Sequence, residues 1–328
     1  MSFAPSCSRR RFVLATAAGL AAAPLRLRAQ RPDSLRIVCG YPPGGSIDVV
    51  ARKLAEKLAG RLAASVGVEN RPGAAGRLAI EETRKAAPGS TLLVTPASTL
   101  TMYPHVFRQL AYDPFVDLAP VSTVATTAFA LGIGPRVPAS VVTLADLVRW
   151  GRAQPDPVSC GHAGAGSMPH FMTLMAAREM GIAVNPIPYR GGQASMQGVA
   201  AGEVAMALAT ESSARALQQA GRVRMLATTW DRRSPFFPDV PSFREGGVNL
   251  SMREWFGAFA SARTPDTLLQ AWADAIRSVS QDADLRDTWD KLGLSVDAGG
   301  SAALAAALRT EHDFWGPLIR ASGFTPES

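Results

Sequence analysis

Loops of glycine and small hydroxyl residues are the parts of this 328-residue sequence best suited to hold a ligand. In the first of them, residues 41–48 (YPPGGSID), an apolar run ends and an amphipathic helical pattern begins at once. We expect a strand, a tight loop around Gly44 and Gly45, and a helix with Ser46 as its N-cap and Asp48 in its first turn. Glycine lets a ligand approach the backbone closely, and the first-turn N–H groups lack partners within the helix. Such a place favours a carboxylate or another anion.

The same order of strand, loop and helix recurs later in the chain. The further candidate residues at these strand ends are Ser98, Thr101, His162, Gly164, Gly166, Ser167, Tyr189, Arg190, Gly191 and Gly192. Ligands of open α/β sheets lie at the carboxyl ends of the strands, so these loops predict a polar, uncharged to basic pocket. The sequence has no GxxxxGK[ST] or GxGxxG pattern, and neither a phosphate loop nor a dinucleotide cofactor is expected.

Catalytic motifs are absent from the sequence. It has no GxSxG elbow, no HExxH and no CxxC pattern, and we expect no catalytic residue, no metal and no cofactor. His162 and His170 flank the loop that holds Ser167, so a hydrolase that pairs Ser167 with a nearby histidine is the main alternative.

The elements that position these loops follow an α/β pattern. Helical spacing over 47–64 and about 78–87 alternates with strands over 35–39, 66–69 and 91–95, which predicts a βαβαβ unit with a parallel sheet. A second unit of alternating strands and helices runs from residue 144 to residue 229. A late strand at 255–260 and three helices complete the chain.

The N-terminus has the pattern of an export signal. Arg9, Arg10 and Arg11 precede an apolar stretch over 12–25, which is too short to span a bilayer and resembles twin-arginine export. We expect a signal peptide over residues 1–29, cleavage near Ala29, and a periplasmic protein.

Removal of this segment changes the charge balance. The formal charge of +7 falls by five to +2, and the other basic residues are scattered, so nucleic acid is not an expected partner. Cys39 and Cys160 remain in the mature chain, and the pattern leaves open whether they pair or stay as two buried thiols.

Several motifs together resemble one family of proteins. In chain order they are YPPGGSID at 41–48, ENRPGAAG at 69–76, YDP at 112–114, GAGS at 164–167, PYRGG at 188–192, PDVPS at 238–242 and EWFG at 254–257. This series resembles the Bug family of periplasmic solute receptors, which serve tripartite tricarboxylate transporters.

The resemblance implies a type II periplasmic binding protein with an α/β fold, in which each lobe is a sheet flanked by helices. Residues 30–125 with 255–328 would form lobe 1 and residues 126–254 lobe 2, with the ligand between them. The implied function is capture of a small organic carboxylate by a non-enzymatic, monomeric receptor that delivers it to the membrane subunits of the transporter. A receptor that feeds a signalling partner is a further alternative.

Ala205 stands where the family usually has aspartate, and His162 where serine is common. Since alanine offers no partner to a ligand ammonium, we expect Ala205 to line the site and to favour carboxylates without an amino group. The other interpretation is that position 205 only sets packing within the sheet.

Overall fold

A mixed sheet with helices on both faces carries the loops described above. The computed structural model describes residues 32–326, so the expected signal peptide and its cleavage near Ala29 lie outside the described residues. Within them the strands are β1 (Ser34–Cys39), β2 (Ser65–Asn70), β3 (Thr91–Pro96), β4 (Leu118–Ile133), β5 (Val158–His162), β6 (Val184–Pro188), β7 (Met206–Thr210), β8 (Arg224–Thr228), β9 (Arg253–Ser261) and β10 (Ser295–Val296). The helices are α1 (Ser46–Leu58), α2 (Arg77–Lys85), α3 (Ser98–Thr101), α4 (Tyr103–Val106), α5 (Leu144–Arg152), α6 (Met168–Met180), α7 (Gly192–Ala201), α8 (Glu211–Gln219), α9 (Asp266–Val279), α10 (Ala283–Lys291) and α11 (Gly300–Ala321).

The long strand β4 belongs to both parts of the sheet. Over residues 118–128 it pairs with β9, which is antiparallel and lies between β4 and β3, while β1 is parallel to both β2 and β3. Over residues 129–133 it pairs with β7 and β8, and β5 is parallel to both β6 and β7. We call the strands β1, β2, β3, β9 and β10 with residues 118–128, and the helices packed on them, the first half. The second half comprises β5 to β8 with residues 129–133 and their helices.

Hydrophobic periodicity explains the layers of the first half. Ile37 belongs to an apolar cluster with α1, α9 and α10, while its neighbour Val38 belongs to a cluster on the other face with α2 and α11. This alternation is the period of a strand buried on both faces. Helix α1 buries Val50, Leu54 and Leu58, which recur every four residues and so lie on one side of the helix.

The two halves share part of their core. One cluster contains Val38 and Leu93 of the first half, Phe171 and Met172 of α6 in the second half, and Trp315 of α11. Accordingly, the chain from Pro32 onward forms one compact unit. The change of pairing partner along β4 falls at 128/129, close to the expected boundary at 125/126, and the division into two lobes stays a prediction.

Cys39 and Cys160 are both buried and free, so no disulfide joins them. Among the described residues, no helix is long and apolar enough to cross a membrane.

Candidate functional site

The loop between β1 and α1 presents backbone rather than side chains. Gly44 has a φ of 87°, a left-handed conformation that glycine adopts without strain. Helix α1 begins at Ser46 and its N-cap is Gly45, in extended conformation and without a side-chain cap. The expectation of Ser46 as N-cap is therefore wrong by one residue. An ideal Cβ on Gly45 would meet only the carbonyl oxygen of Pro42, at 3.7 Å, so the backbone is open to approach on this side.

Asp48 holds this loop in shape. Its buried carboxylate accepts from Gly44 N at 2.9 Å and Arg52 Nε at 3.0 Å through Oδ2, and from Asn70 Nδ2 at 2.7 Å through Oδ1. Asn70 also donates to the carbonyl oxygen of Tyr41 at 3.0 Å, so both ends of the loop are tied to one cluster. Burial raises the pKa of Asp48, but the hydrogen bonds from Arg52, Gly44 and Asn70 outweigh burial and lower it. The structure thus gives Asp48 a positioning role beneath the loop.

The end of β3 contributes hydroxyl groups and an acid. Ser98, the first residue of α3, donates from Oγ to Glu254 Oε1 at 2.7 Å. Thr101 is fully buried and donates to the carbonyl oxygen of Ala97 at 3.1 Å, so its hydroxyl is used within its own turn. Glu254 was not among the candidates from the sequence. The antiparallel pairing of Pro96 with Phe256 places it beyond the carboxyl end of β3, beside Ser98.

In the second half, the loop after β5 closes around its own polar groups. Ser167 is the N-cap of α6: its Oγ accepts from His170 N at 3.4 Å and donates to the carbonyl oxygen of Gly164 at 2.7 Å. His162 is buried, with Nδ1 2.9 Å from the same carbonyl oxygen, and its ring stacks on that of His170 with centroids 4.5 Å apart. His170 Nδ1 accepts from Gly166 N at 3.2 Å.

This arrangement does not activate Ser167 as a nucleophile. A general base must accept the hydroxyl proton, but Ser167 gives its proton to a carbonyl oxygen and His170 Nδ1 is occupied by a backbone N–H. Burial, together with the neighbouring His170, lowers the pKa of His162 to about 4, and burial lowers the pKa of His170. Both rings are therefore neutral near pH 7 and offer polarity rather than charge.

The loop after β6 carries the cation of the site. Gly191, with a φ of 108°, is the N-cap of α7, which begins at Gly192. Arg190 is exposed and has no hydrogen-bond or ion-pair partner among residues 32–326. Tyr189 points along α7 instead: its ring lies against Gly161 and Gly198, and its hydroxyl donates to Glu203 Oε2 at 3.0 Å. The side chain of Tyr189 thus packs on the second half and is not directed toward the loop, whereas that of Arg190 has no such partner in the described part of the chain.

Hydroxyl groups at the end of β7 and the start of α8 extend the same edge and were missed from the sequence. Thr210 Oγ1 lies 2.8 Å from Ser213 Oγ, and an ideal Cβ on Gly192 would lie 2.9 Å from that Ser213 oxygen. The Thr-Glu-Ser-Ser sequence that directly follows a strand could have indicated them.

Ala205 lies at the opposite end of the sheet. It precedes β7, its N–H donates to Ser159 Oγ at 3.0 Å, and its carbonyl oxygen accepts from Gly134 N at 3.2 Å. Since β5 and β7 are parallel, this is the amino edge, away from the loops that follow these strands. The expectation that Ala205 lines the site is therefore wrong: position 205 sets packing, and the specificity argument built on it does not hold.

The loop that begins α6 touches the first half. An ideal Cβ on Gly166 would lie 2.8 Å from Val106 Cγ1 of α4 and 3.3 Å from Phe324 Cζ. Phe324 also packs edge-on against Phe171 of α6, with ring centroids 5.3 Å apart. The N-terminus of α6 thus contacts the first half at the edge at which β5 ends.

Comparison with known proteins shows the family to which the chain belongs. The family model described as the tripartite tricarboxylate transporter family receptor matches residues 50–324. The chain belongs to this family. Family membership confirms the resemblance drawn from the sequence, and the protein is a solute-binding receptor rather than an enzyme.

Similar proteins and solved structures lead to the same family assignment. Protein BugT of Bordetella pertussis is 28% identical over 305 residues, which cover 92% of this chain and 93% of BugT. The structure of MatC from Rhodopseudomonas palustris with bound malate is 26% identical, with a TM-score of 0.74 over 87% of this chain and 98% of MatC. The periplasmic binding protein BugD, 24% identical, shares the fold with a TM-score of 0.74 over 90% of this chain and 99% of BugD. These structures confirm the expected periplasmic binding protein fold.

Proposed function

We propose that this protein is a periplasmic receptor that captures a small organic carboxylate between its two halves and delivers it to the membrane subunits of a tripartite tricarboxylate transporter. The observation that carries the proposal is the unpartnered Arg190 beside the N-terminus of α7, at the edge of the sheet at which β6 ends. A guanidinium forms strong, charge-assisted hydrogen bonds with a carboxylate.

The helices around it support the same chemistry. Helices α1, α6 and α7 each begin just after a strand, and glycines precede each of them. Their N–H groups and dipoles favour a negative group. The relative MatC, which was solved with malate, belongs to the same structural class. We infer a monomer in the periplasm, with the carboxylate as its one small-molecule partner.

A screen of carboxylates against the purified mature protein tests the proposal. The panel would contain succinate, malate, adipate, benzoate and their amino analogues, with binding detected as a rise in melting temperature. A ligand at about 100 times its Kd adds about 2.7 kcal/mol to the free energy of unfolding, which is readily measured. If no carboxylate raises the melting temperature, the proposed function is wrong.

The variant Arg190→Ala tests the role of the guanidinium. We expect it to weaken binding of the best carboxylate by about 1.5–3 kcal/mol, the range for a hydrogen bond to a charged group. Arg178→Ala is the matched control, because Arg178 is exposed near the C-terminal end of α6, away from the loops. Equal affinity of the two variants in calorimetry would remove Arg190 from the site.

A further inference from the structure

Glu254 is an acid placed at the seam of the two halves. It is the second residue of β9 and pairs with Thr127 of β4, next to the point at which β4 changes partners. On its other side it lies beyond the carboxyl end of β3, where Ser98 Oγ donates to it at 2.7 Å. Glu254 thus shares the ligand-facing edge with the loop that begins α1.

The groups around Glu254 provide no compensating cation. Among residues 32–326 no lysine or arginine forms an ion pair with it, and the adjacent Arg253 extends instead over the Trp230 ring, 5.1 Å from its centroid. The charge of Glu254 also acts on Tyr41 of the loop after β1: burial, followed by Tyr103 and Glu254, raises the pKa of Tyr41. The polar groups near Glu254 are therefore phenol and hydroxyl groups rather than cations.

A second carboxyl group lies nearby on α11. Glu311 accepts from Trp255 Nε1 at 2.7 Å, while its Oε2 is buried without a hydrogen-bond partner among the described residues. Burial raises the pKa of Glu311 to about 8; the charge of Glu254 also raises it, and Arg253 lowers it. Burial raises the pKa of Glu254 as well, more than the Ser98 hydrogen bonds lower it. Burial thus favours the uncharged acid at both positions, and the like charge of Glu254 adds to this at Glu311.

An incoming carboxylate adds a further negative charge to the same edge. An ionised Glu254 would repel it, whereas a protonated Glu254 can donate its O–H to a carboxylate oxygen while Ser98 still donates to the other oxygen of Glu254. We propose that Glu254 determines specificity in this site as a neutral acid, so that capture of a carboxylate takes up one proton from solvent. This inference rests on the proposed function and adds a specific requirement to it.

The sign of the pH dependence follows from the proton taken up. Ligand binding favours the protonated acid, so affinity is full below the pKa of Glu254 in the free protein and falls as pH rises above it. The fall approaches tenfold per pH unit, since one proton enters the binding equilibrium. A ligand bearing an ammonium group would behave in the opposite way, because it would pair with ionised Glu254.

Calorimetry of the carboxylate with the largest thermal shift in the panel above measures this proton directly. Titrations from pH 6 to pH 8.5, each in two buffers of different ionisation enthalpy, should show uptake approaching one proton at the alkaline end. Glu254→Gln keeps an acceptor for Ser98 and mimics the neutral acid. At every pH, this variant should bind the carboxylate with the affinity that the wild-type protein has at low pH. Its binding should take up no proton, and its affinity should not fall at high pH.

The outcomes separate this inference from the proposed function. Glu179→Gln, at an exposed position of α6, is the control and should keep the wild-type pH dependence. Binding without proton uptake, a Glu254→Gln variant that keeps the pH dependence, or a tenfold preference for aspartate over succinate that Glu254→Gln abolishes would each overturn the inference alone. If no carboxylate binds at any pH, the proposed function fails and this inference fails with it.

Discussion

Replacement of Asp48 by asparagine tests whether the β1–α1 loop depends on one buried carboxylate. Both oxygens of Asp48 accept hydrogen bonds, from Gly44 and Arg52 on one side and Asn70 on the other. The amide of Asp48→Asn has the same shape but one acceptor, so its NH2 group must face a donor in either orientation. The change should remove at least one hydrogen bond to a charged group, which contributes about 1.5–3 kcal/mol.

The expected loss of stability is about 2–3 kcal/mol. Breaking a fully buried ion pair costs about 3–5 kcal/mol, but the Arg52 side chain is 51% exposed and stays hydrated, which reduces the cost. With an unfolding entropy of about 2.1 cal/mol/K per residue over roughly 300 residues, this loss lowers the melting temperature by about 3–5 °C. Because the loop loses its support, the affinity for a carboxylate should fall as well.

Differential scanning calorimetry at several pH values checks the argument. The folded-state pKa of Asp48 is lowered, so its contribution is present above the ordinary pKa of about 3.9 and is lost as pH falls through the folded value. The difference between the two proteins should therefore persist from pH 7 to about pH 5 and shrink below about pH 4. Asp287→Asn, which removes an exposed pair with Lys291, is the control and should shift the melting temperature by less than about 1 °C. An Asp48→Asn variant that melts like this control would refute the reasoning.

Other predictions concern the glycine loop, the C-terminal segment and the thiols. Gly45→Val should keep the melting temperature, since only one atom lies near the added Cβ, and should abolish carboxylate binding in calorimetry; unchanged affinity would exclude the loop from the site. Phe324→Ala should destabilise the protein by about 1–2 kcal/mol, part of the usual cost for a buried phenylalanine because Phe324 is half-buried; equal melting curves would contradict its packing on Phe171. Burial raises the pKa of Cys39, and raises that of Cys160 to about 12, so a thiol reagent should react with them only after unfolding; rapid labelling of the folded protein would show an open core.

The sequence predicted the elements whose periodicity is strong. The order β1, α1, β2, α2 and β3 was predicted correctly, because apolar and polar positions alternate clearly there. Most bounds agree within two residues, but α1 ends at Leu58, six residues before the expected end. The start of β4 was not predicted, since Pro120, Ser122 and Thr123 interrupt its apolar pattern. The structure accommodates them through register shifts in the pairing with β9.

For the candidate site residues, the sequence predicted the edge of the sheet where strand order alone decides it. Residues that follow parallel strands, such as Gly45, Ser98 and Arg190, lie at the carboxyl edge as expected. Ala205 precedes a parallel strand and so lies at the other edge, which topology could have shown. Glu254 is the second residue of β9, and only the antiparallel direction of β9 brings it to the edge at which β3 ends. That direction depends on tertiary pairing, which local sequence does not reveal.

The position of β9 also determines the order in which the chain can fold. β9 separates β3 from β4 in the sheet, although it follows both of them and the whole second half in sequence. The second half is built from residues 129–228 and can assemble as they emerge during synthesis, whereas β3 and the early part of β4 have unpaired edges until Ser261 has been made. A nascent chain interrupted before Arg253 thus exposes two strand edges that invite aggregation. Completion of the first half therefore waits for the last quarter of the polypeptide.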